Sequence, residues 1–164
     1  MGDYLYHFSE DPTITVFAPR VDFVWADDEW HQFRYWFPRE CPRATWWAAD
    51  QLAPPTVAIQ RDWLDRVRVC ELYAYRFDAA PFRPNPGGGG WITETTITPS
   101  AVDSLGPLLE RHRAAGVEFQ ICDDLWALWL EVIAMDGIDF SGIRLKNLPQ
   151  HPSHGSEEVY LPGP

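Results

Sequence analysis

A chain of 164 residues is long enough for one domain with a sizeable core, and no shift in composition marks a second. Its formal charge of −11, from 24 acidic and 13 basic residues, repels a phosphate backbone and so makes nucleic acid an unlikely partner unless a basic patch overrides it locally. No apolar run reaches the length of a membrane span and the start lacks the basic-then-apolar order of a signal peptide, so the cytoplasm is the expected compartment and no membrane is expected. Cys41, Cys70 and Cys122 form no C-x-x-C pair, which argues for neither a disulfide framework nor a zinc cluster, and no metal is expected. Nine Trp, nine Phe and six Tyr are more rings than a core needs, so some are expected to line a pocket.

In chain order, Tyr4 to Phe8 reads as a short strand closed by Glu10-Asp11-Pro12, with His7 near its C-terminal end. A lone histidine there is either a hydrogen-bonded structural residue or a ligand contact. Asp22 to Ala26 reads as a second strand, and Asp27-Asp28-Glu29 as the acidic start of a helical turn holding Trp30, His31, Phe33 and Arg34. Between Tyr35 and Arg43 two prolines, each followed by arginine, predict an ordered loop. Arg39 and Arg43 on it suit a phosphate or carboxylate ligand, or pair with the chain's own carboxylates. Cys41, between them, is expected to be favoured as thiolate.

Ala44 to Ala48 reads as a third strand, Pro54-Pro55 as a break and Arg61 to Arg66 as exposed helical turns. Val67 to Phe77 carries apolar groups on both faces and predicts a long central strand. Phe82 to Gly90, with two prolines and four consecutive glycines, predicts a mobile loop. A strand rather than a helix follows those glycines, so they are no dinucleotide fingerprint. That strand, Trp91 to Pro99, has β-branched density and one carboxylate, Glu94, on a face with Ile92, Thr96 and Thr98. Glu94 is either a solvated edge residue or a charge held in a cleft.

Pro107 opens a helix to about Ala115, where the helix end accounts for His112 and Gly116 is the stop. Val117 to Cys122 alternates as a strand. Asp123-Asp124 caps an apolar core helix through Ile133, and Phe140 to Leu145 is the last strand. The expected organisation is one globular domain over residues 1–148 and a poorly ordered tail over 149–164, in which the spacing of His151 and His154 is weak evidence for metal. Strands outnumber helices without strict alternation, which predicts an α+β fold: a mostly antiparallel sheet or two facing sheets with a few flanking helices.

Tyr6-His7-Phe8-Ser9-Glu10-Asp11-Pro12, Phe37-Pro38-Arg39 with Cys41-Pro42-Arg43, and Phe140-Ser141-Gly142-Ile143-Arg144-Leu145 together resemble a family of short uncharacterised bacterial proteins classed as a domain of unknown function. The resemblance runs to about Leu148 and implies no activity. A more remote resemblance is to the ADP-ribosyltransferase superfamily, whose members hold NAD with a histidine or arginine on the first strand and carry a catalytic glutamate on a later one. It implies an ADP-ribosyltransferase-like fold, with His7 on the nicotinamide-side ribose or amide, Trp25 in the second motif and Glu94 as catalyst. Trp25 departs from the pattern, standing where tyrosine or serine is commoner.

The chemistry this resemblance implies is coherent. Cleaving the glycosidic bond of NAD builds positive charge on the ribose carbon, and a carboxylate beneath the sugar stabilises it. Trp25, Tyr35, Trp36 and Trp91 are expected to stack on nicotinamide or adenine, and Arg20, Arg39 or Arg43 to meet the pyrophosphate. The leading expectation is transfer of ADP-ribose from NAD to a protein or small-molecule acceptor, with NAD hydrolysis as a variant. The alternatives are a non-catalytic module that holds a small molecule or peptide in an aromatic cleft, and a hydrolase or lyase using His7 with a carboxylate.

Overall fold

The computed structural model describes residues 2–154. From the N-terminus the strands are β1 (Tyr4–Ser9), β2 (Val24–Ala26), β3 (Arg43–Ala48) and β4 (Thr56–Gln60). Helix α1 (Leu64–Val69) follows, then β5 (Tyr73–Asp78), β6 (Arg83–Pro84), β7 (Trp91–Thr93) and β8 (Ala101–Ser104). Helix α2 (Leu108–Ala114), β9 (Glu118–Cys122), α3 (Leu125–Ile133) and β10 (Ile138–Ile143) complete the set, with short 3-10 turns between some of them. The fold is α+β in three small sheets, and every strand pairing among the described residues is antiparallel except β4 with β9.

The chain packs into two compact units, where sequence composition predicts one domain. Among the described residues one takes 2–36 together with 71–106, the other 37–70 together with 107–154. The chain passes between them without any change of composition, so nothing local in the sequence marks the crossings.

The first unit holds two three-stranded sheets, β1-β5-β8 and β2-β7-β6. They are joined where Tyr6 and Asp27 exchange both backbone hydrogen bonds at 2.8 Å. Alternation along β1 and β5 sends Leu5, Tyr75 and Phe77 inward, where Val24, Ala26, Phe82 and Ile97 meet them. Phe17 seats its ring edge-on against Tyr75 and Phe77 at about 5 Å, and its backbone is paired with Ile97. Tyr75 is fully buried, and its hydroxyl donates to the carbonyl of Asp11 (2.5 Å) and accepts from the amide of Ile14 (3.1 Å). The irregular segment after β1 is thereby tied to the core.

The second unit is built on the sheet β10-β3-β4-β9. Ala44 and Ala58 leave room on one face for Leu125, Leu145 and Leu148, with Trp126, Leu128 and Trp129 of α3 around them. Asp124 caps α3 by accepting from the amide of Ala127 at 2.9 Å, as the acidic pair before the helix predicts. A Cβ on Gly142 would stand 2.5 Å from Leu145 and 2.9 Å from Trp129, so only glycine lets the helix ring sit on β10.

Two expectations are corrected and one omission is filled. Val67 to Leu72 is not strand: helix α1 runs through Val69, with Val67 inward and Val69 in solvent, and β5 starts at Tyr73. The strand from Trp91 stops at Thr93, whose hydroxyl accepts from the amide of Thr95 and turns the chain. Thr56–Gln60 is a strand the sequence reading omits; it is buried on both faces and so shows no alternation. Of the tail expected to be poorly ordered, Pro152–His154 forms a 3-10 turn, and residues 155–164 lie outside the described residues.

Tyr75→Phe removes a donor and an acceptor at a half-buried loop junction, and leaving those partners unmatched costs about 1–3 kcal/mol. Urea unfolding of the variant is expected to show that loss with an unchanged slope.

Candidate binding cavity

The pairing of Tyr6 with Asp27 lays the end of β1 beside β2. His7, the next residue, turns its ring so that Nδ1 lies 2.9 Å from the carbonyl oxygen of Trp25. A carbonyl only accepts, so Nδ1 carries the proton, and this fixes the ring's orientation and tautomer. Phe17 braces the same ring at 5.0 Å. Around this junction lies a cavity of about 180 Å³ lined by Tyr6, His7, Phe8, Trp25, Ala26, Asp27 and Tyr35. Sites that enclose a drug-sized ligand run to about 300–1,000 Å³, so this one takes a single ring or one end of something longer.

Asp27 and Tyr35 come to the cavity from either end of the acidic turn. Asp27 is 2% exposed, and its Oδ2 accepts from Nη2 of Arg34 at 2.5 Å and from Nε at 3.1 Å. The guanidinium, itself buried, also reaches the carbonyl of His31 and lies 5.7 Å from the centre of the Tyr35 ring. Burial pushes the Asp27 carboxyl above its usual range, against the pull of Arg34.

Asp28 behaves in the opposite way. Partial burial disfavours its charge, but the ring and backbone N–H of His31, the charge of that ring when protonated and the Trp91 indole together lower it to about 2. The contacts are short: Nδ1 of His31 stands 2.8 Å from one Asp28 oxygen and 2.9 Å from the other. Ligand atoms of Asp27, Asp28 and His31 lie within 4.8 Å of one another. Arg34 and His31 already hold the two carboxylates, so a cation there would have to break both pairs.

Of the residues singled out in the sequence, His7, Trp25 and Tyr35 share this cavity. Glu94 is not among its lining residues: its side chain is 71% exposed and pairs with Arg83 at 3.1 Å. Trp91 lies opposite Ala26 on β7 and steadies Asp28, and Trp36 is buried. Arg20 is exposed beyond a backbone bridge to Phe23. Arg39 and Arg43 belong to the other unit. There Arg39 is exposed beside Glu40, while buried Arg43 donates to the carbonyl of Cys41 and lies 5.4 Å from the Phe37 ring centre.

Cys41 is also corrected: it is fully buried, and burial outweighs Arg43 and pushes its thiol up to about 12. His112, expected to serve the end of its helix, is instead fully buried against Phe37 and Phe119, with Nδ1 at 2.8 Å from the carbonyl of Leu108 at the start of α2. Tyr6, Phe8, Ala26 and Asp27 also line the cavity and are not among the residues the sequence singles out. Tyr6 and Phe8 flank His7 directly, and that proximity was the available signal.

Residues 6–148 match the family of unknown function DUF6886. The chain belongs to that family. No curated protein matches the chain, and no solved structure does. Among the described residues no helix is long and apolar enough to cross a membrane.

Two predictions follow from the charges. Arg34→Met strands the buried Asp27 carboxylate and is expected to cost about 3–5 kcal/mol at pH 7. Because Asp27 binds its proton more tightly folded than unfolded, and more so without Arg34, the deficit shrinks as pH falls toward 4; denaturant unfolding at both pH values reads it. Asp28 has the reverse sign: its contribution is present above the unfolded value near 3.8 and lost as pH falls toward about 2. Screening at this partly exposed site limits it to about 1–2 kcal/mol. Acid titration of stability in Asp28→Asn is expected to be flatter by that amount between pH 4 and 2.

Proposed function

We propose that this protein binds a small molecule through a flat ring held in the cavity between β1 and β2, the nicotinamide of NAD being the leading candidate. The observation that carries this reading is the shared cavity of His7, Trp25 and Tyr35 with Tyr6 and Phe8. Aromatic walls offer a ring dispersion contacts and edge or face packing, and the anchored imidazole supplies a polar contact of fixed direction.

Transfer of ADP-ribose from NAD is the second reading. What favours it is a contact next to a cavity residue: Trp25 faces Ile92 on β7, and Arg83, on the other side of Ile92, pairs with Glu94 just past the end of that strand. Binding is preferred because Glu94 is exposed and lies outside the cavity lining. The hydrolase or lyase reading is weaker, since the carboxylate beside His7 is that of Asp27, which Arg34 already engages.

Calorimetry with nicotinamide and with NAD tests the proposal. Wild type is expected to bind both, with Trp25→Ala and His7→Ala each weakened by about threefold or more, the scale of one ring contact. No heat at millimolar concentrations of either compound would overturn it. For transfer, release of nicotinamide from NAD must occur and must vanish in Glu94→Gln; release at an unchanged rate would sink that assignment.

A further inference from the structure

The cavity is too small for a ligand of nucleotide size, so most of such a molecule lies outside, and the surface it would meet is defined by strand register. On β7, Ile92 is opposite Trp25 of β2 on one side and Arg83 of β6 on the other. Directly opposed residues share a face, so Trp25, Ile92 and Arg83 fall on one side of the sheet β2-β7-β6, and Phe23 and Glu94, just outside the strands, meet that side through Trp25 and Arg83. Ile92 is buried in the middle, while Trp25 and Arg83 are exposed and Phe23 partly so. The Phe23 ring stands edge-on to Trp25 at 6.3 Å, and the Arg83 guanidinium lies 5.6 Å from the Phe23 ring centre, with Glu94 at 3.1 Å.

The loop that follows Arg83 closes the hairpin of β6 and β7 and brings the chain back beside Ala26 of β2. Asn85 donates its backbone N–H to the carbonyl of Gly90, and a Cβ on Gly90 would stand 2.9 Å from the carbonyl oxygen of Ala26, a lining residue. Arg83 is thus a cation already oriented by an aromatic ring and a carboxylate, on the same side of the sheet as a cavity residue, Trp25.

We propose that this face is the second half of the binding site and takes an anionic arm, a phosphate carried about one sugar away from the ring in the cavity. Arg83 is its counter-charge, and Glu94 is the internal anion that the arm displaces. The inference rests on the cavity reading and adds the class of ligand, a mononucleotide or the corresponding half of a dinucleotide. An exposed arginine–glutamate pair is weak and exchanges readily. A phosphate brings more charge and more acceptor oxygens to the same guanidinium, and so displaces the carboxylate.

Nicotinamide riboside and nicotinamide mononucleotide differ only by the phosphate and are the probes. By calorimetry on the full chain, the mononucleotide is expected to bind about tenfold tighter than the riboside, a difference that shrinks with added salt. Arg83→Gln should abolish that difference, and Glu94→Gln should widen it by about threefold, because the competing carboxylate is gone. A variant that loses riboside affinity as well, rather than the increment of the mononucleotide over it, also overturns the inference, because the side chain then acts on the cavity and not on the phosphate. Equal affinities in wild type, or a difference that survives Arg83→Gln, overturn the inference and leave the cavity reading standing. Absence of heat from both compounds overturns the cavity reading and the inference with it.

Discussion

The first unit depends on how Asp27 is held. Its backbone supplies both hydrogen bonds that join β2 to β1, and its carboxylate, buried away from water, is kept in place by Arg34. A buried carboxylate without a partner is expensive, so the 3-10 turn that carries Arg34 is bound to fold back over β2. That fold brings Tyr35 to the cavity opposite His7 and Trp25. The backbone of Asp27 thus sets where the sheets meet, and its carboxylate holds the turn that lines the cavity beside them. The raised carboxyl of Asp27 and the lowered one of Asp28 are two sides of the same constraint: the first carboxylate is inside the protein, and the second stands at its edge under the N–H groups of His31.

Elements whose signal is local were legible. β1, β3 and β9 were read from short apolar or alternating runs, and α3 from a capping aspartate followed by a helical apolar stripe. The errors fall where tertiary burial overrides local pattern. β4 is buried along its whole length and has no polar side to betray it. In Val67 to Phe77 an alternation of period two runs across a helix and a strand, since a single turn of helix with one inward valine looks much the same over a few residues. The two units are each assembled from separated segments, and no shift of composition at residues 36, 70 or 106 marks where the chain passes from one to the other.

The site was half legible for a related reason. His7 and Trp25 could be chosen because each lies on a short strand among aromatic neighbours, but the arginines were chosen by type alone. Arg39 and Arg43 stand on a stiff loop, as the prolines imply, yet Arg43 is spent on the Cys41 carbonyl and the Phe37 ring, and Arg39 stands beside Glu40. Arg83, beside a glycine-rich loop, carries no local signal, because its place opposite Ile92 comes from pairing across a turn. A hairpin register decides which side chains meet, and single-chain periodicity does not give the register of a strand with an irregular partner.

Exposure bears on what Glu94 can do. At 71% side-chain exposure its charge is screened by water, where even a full cation 4 Å away gains only about 1 kcal/mol, too little to stabilise a glycosyl cation usefully. Electrostatic catalysis requires that water be excluded around the carboxylate and that no nearby guanidinium cancel it. Both conditions fail while Glu94 is exposed and paired with Arg83. A ligand lying over Trp25 and Phe23 with its anionic arm on Arg83 would change both at once, drawing the guanidinium off and covering the carboxylate. If Glu94 acts on a substrate at all, it acts in that complex, and binding of the anionic arm is the step that would release it.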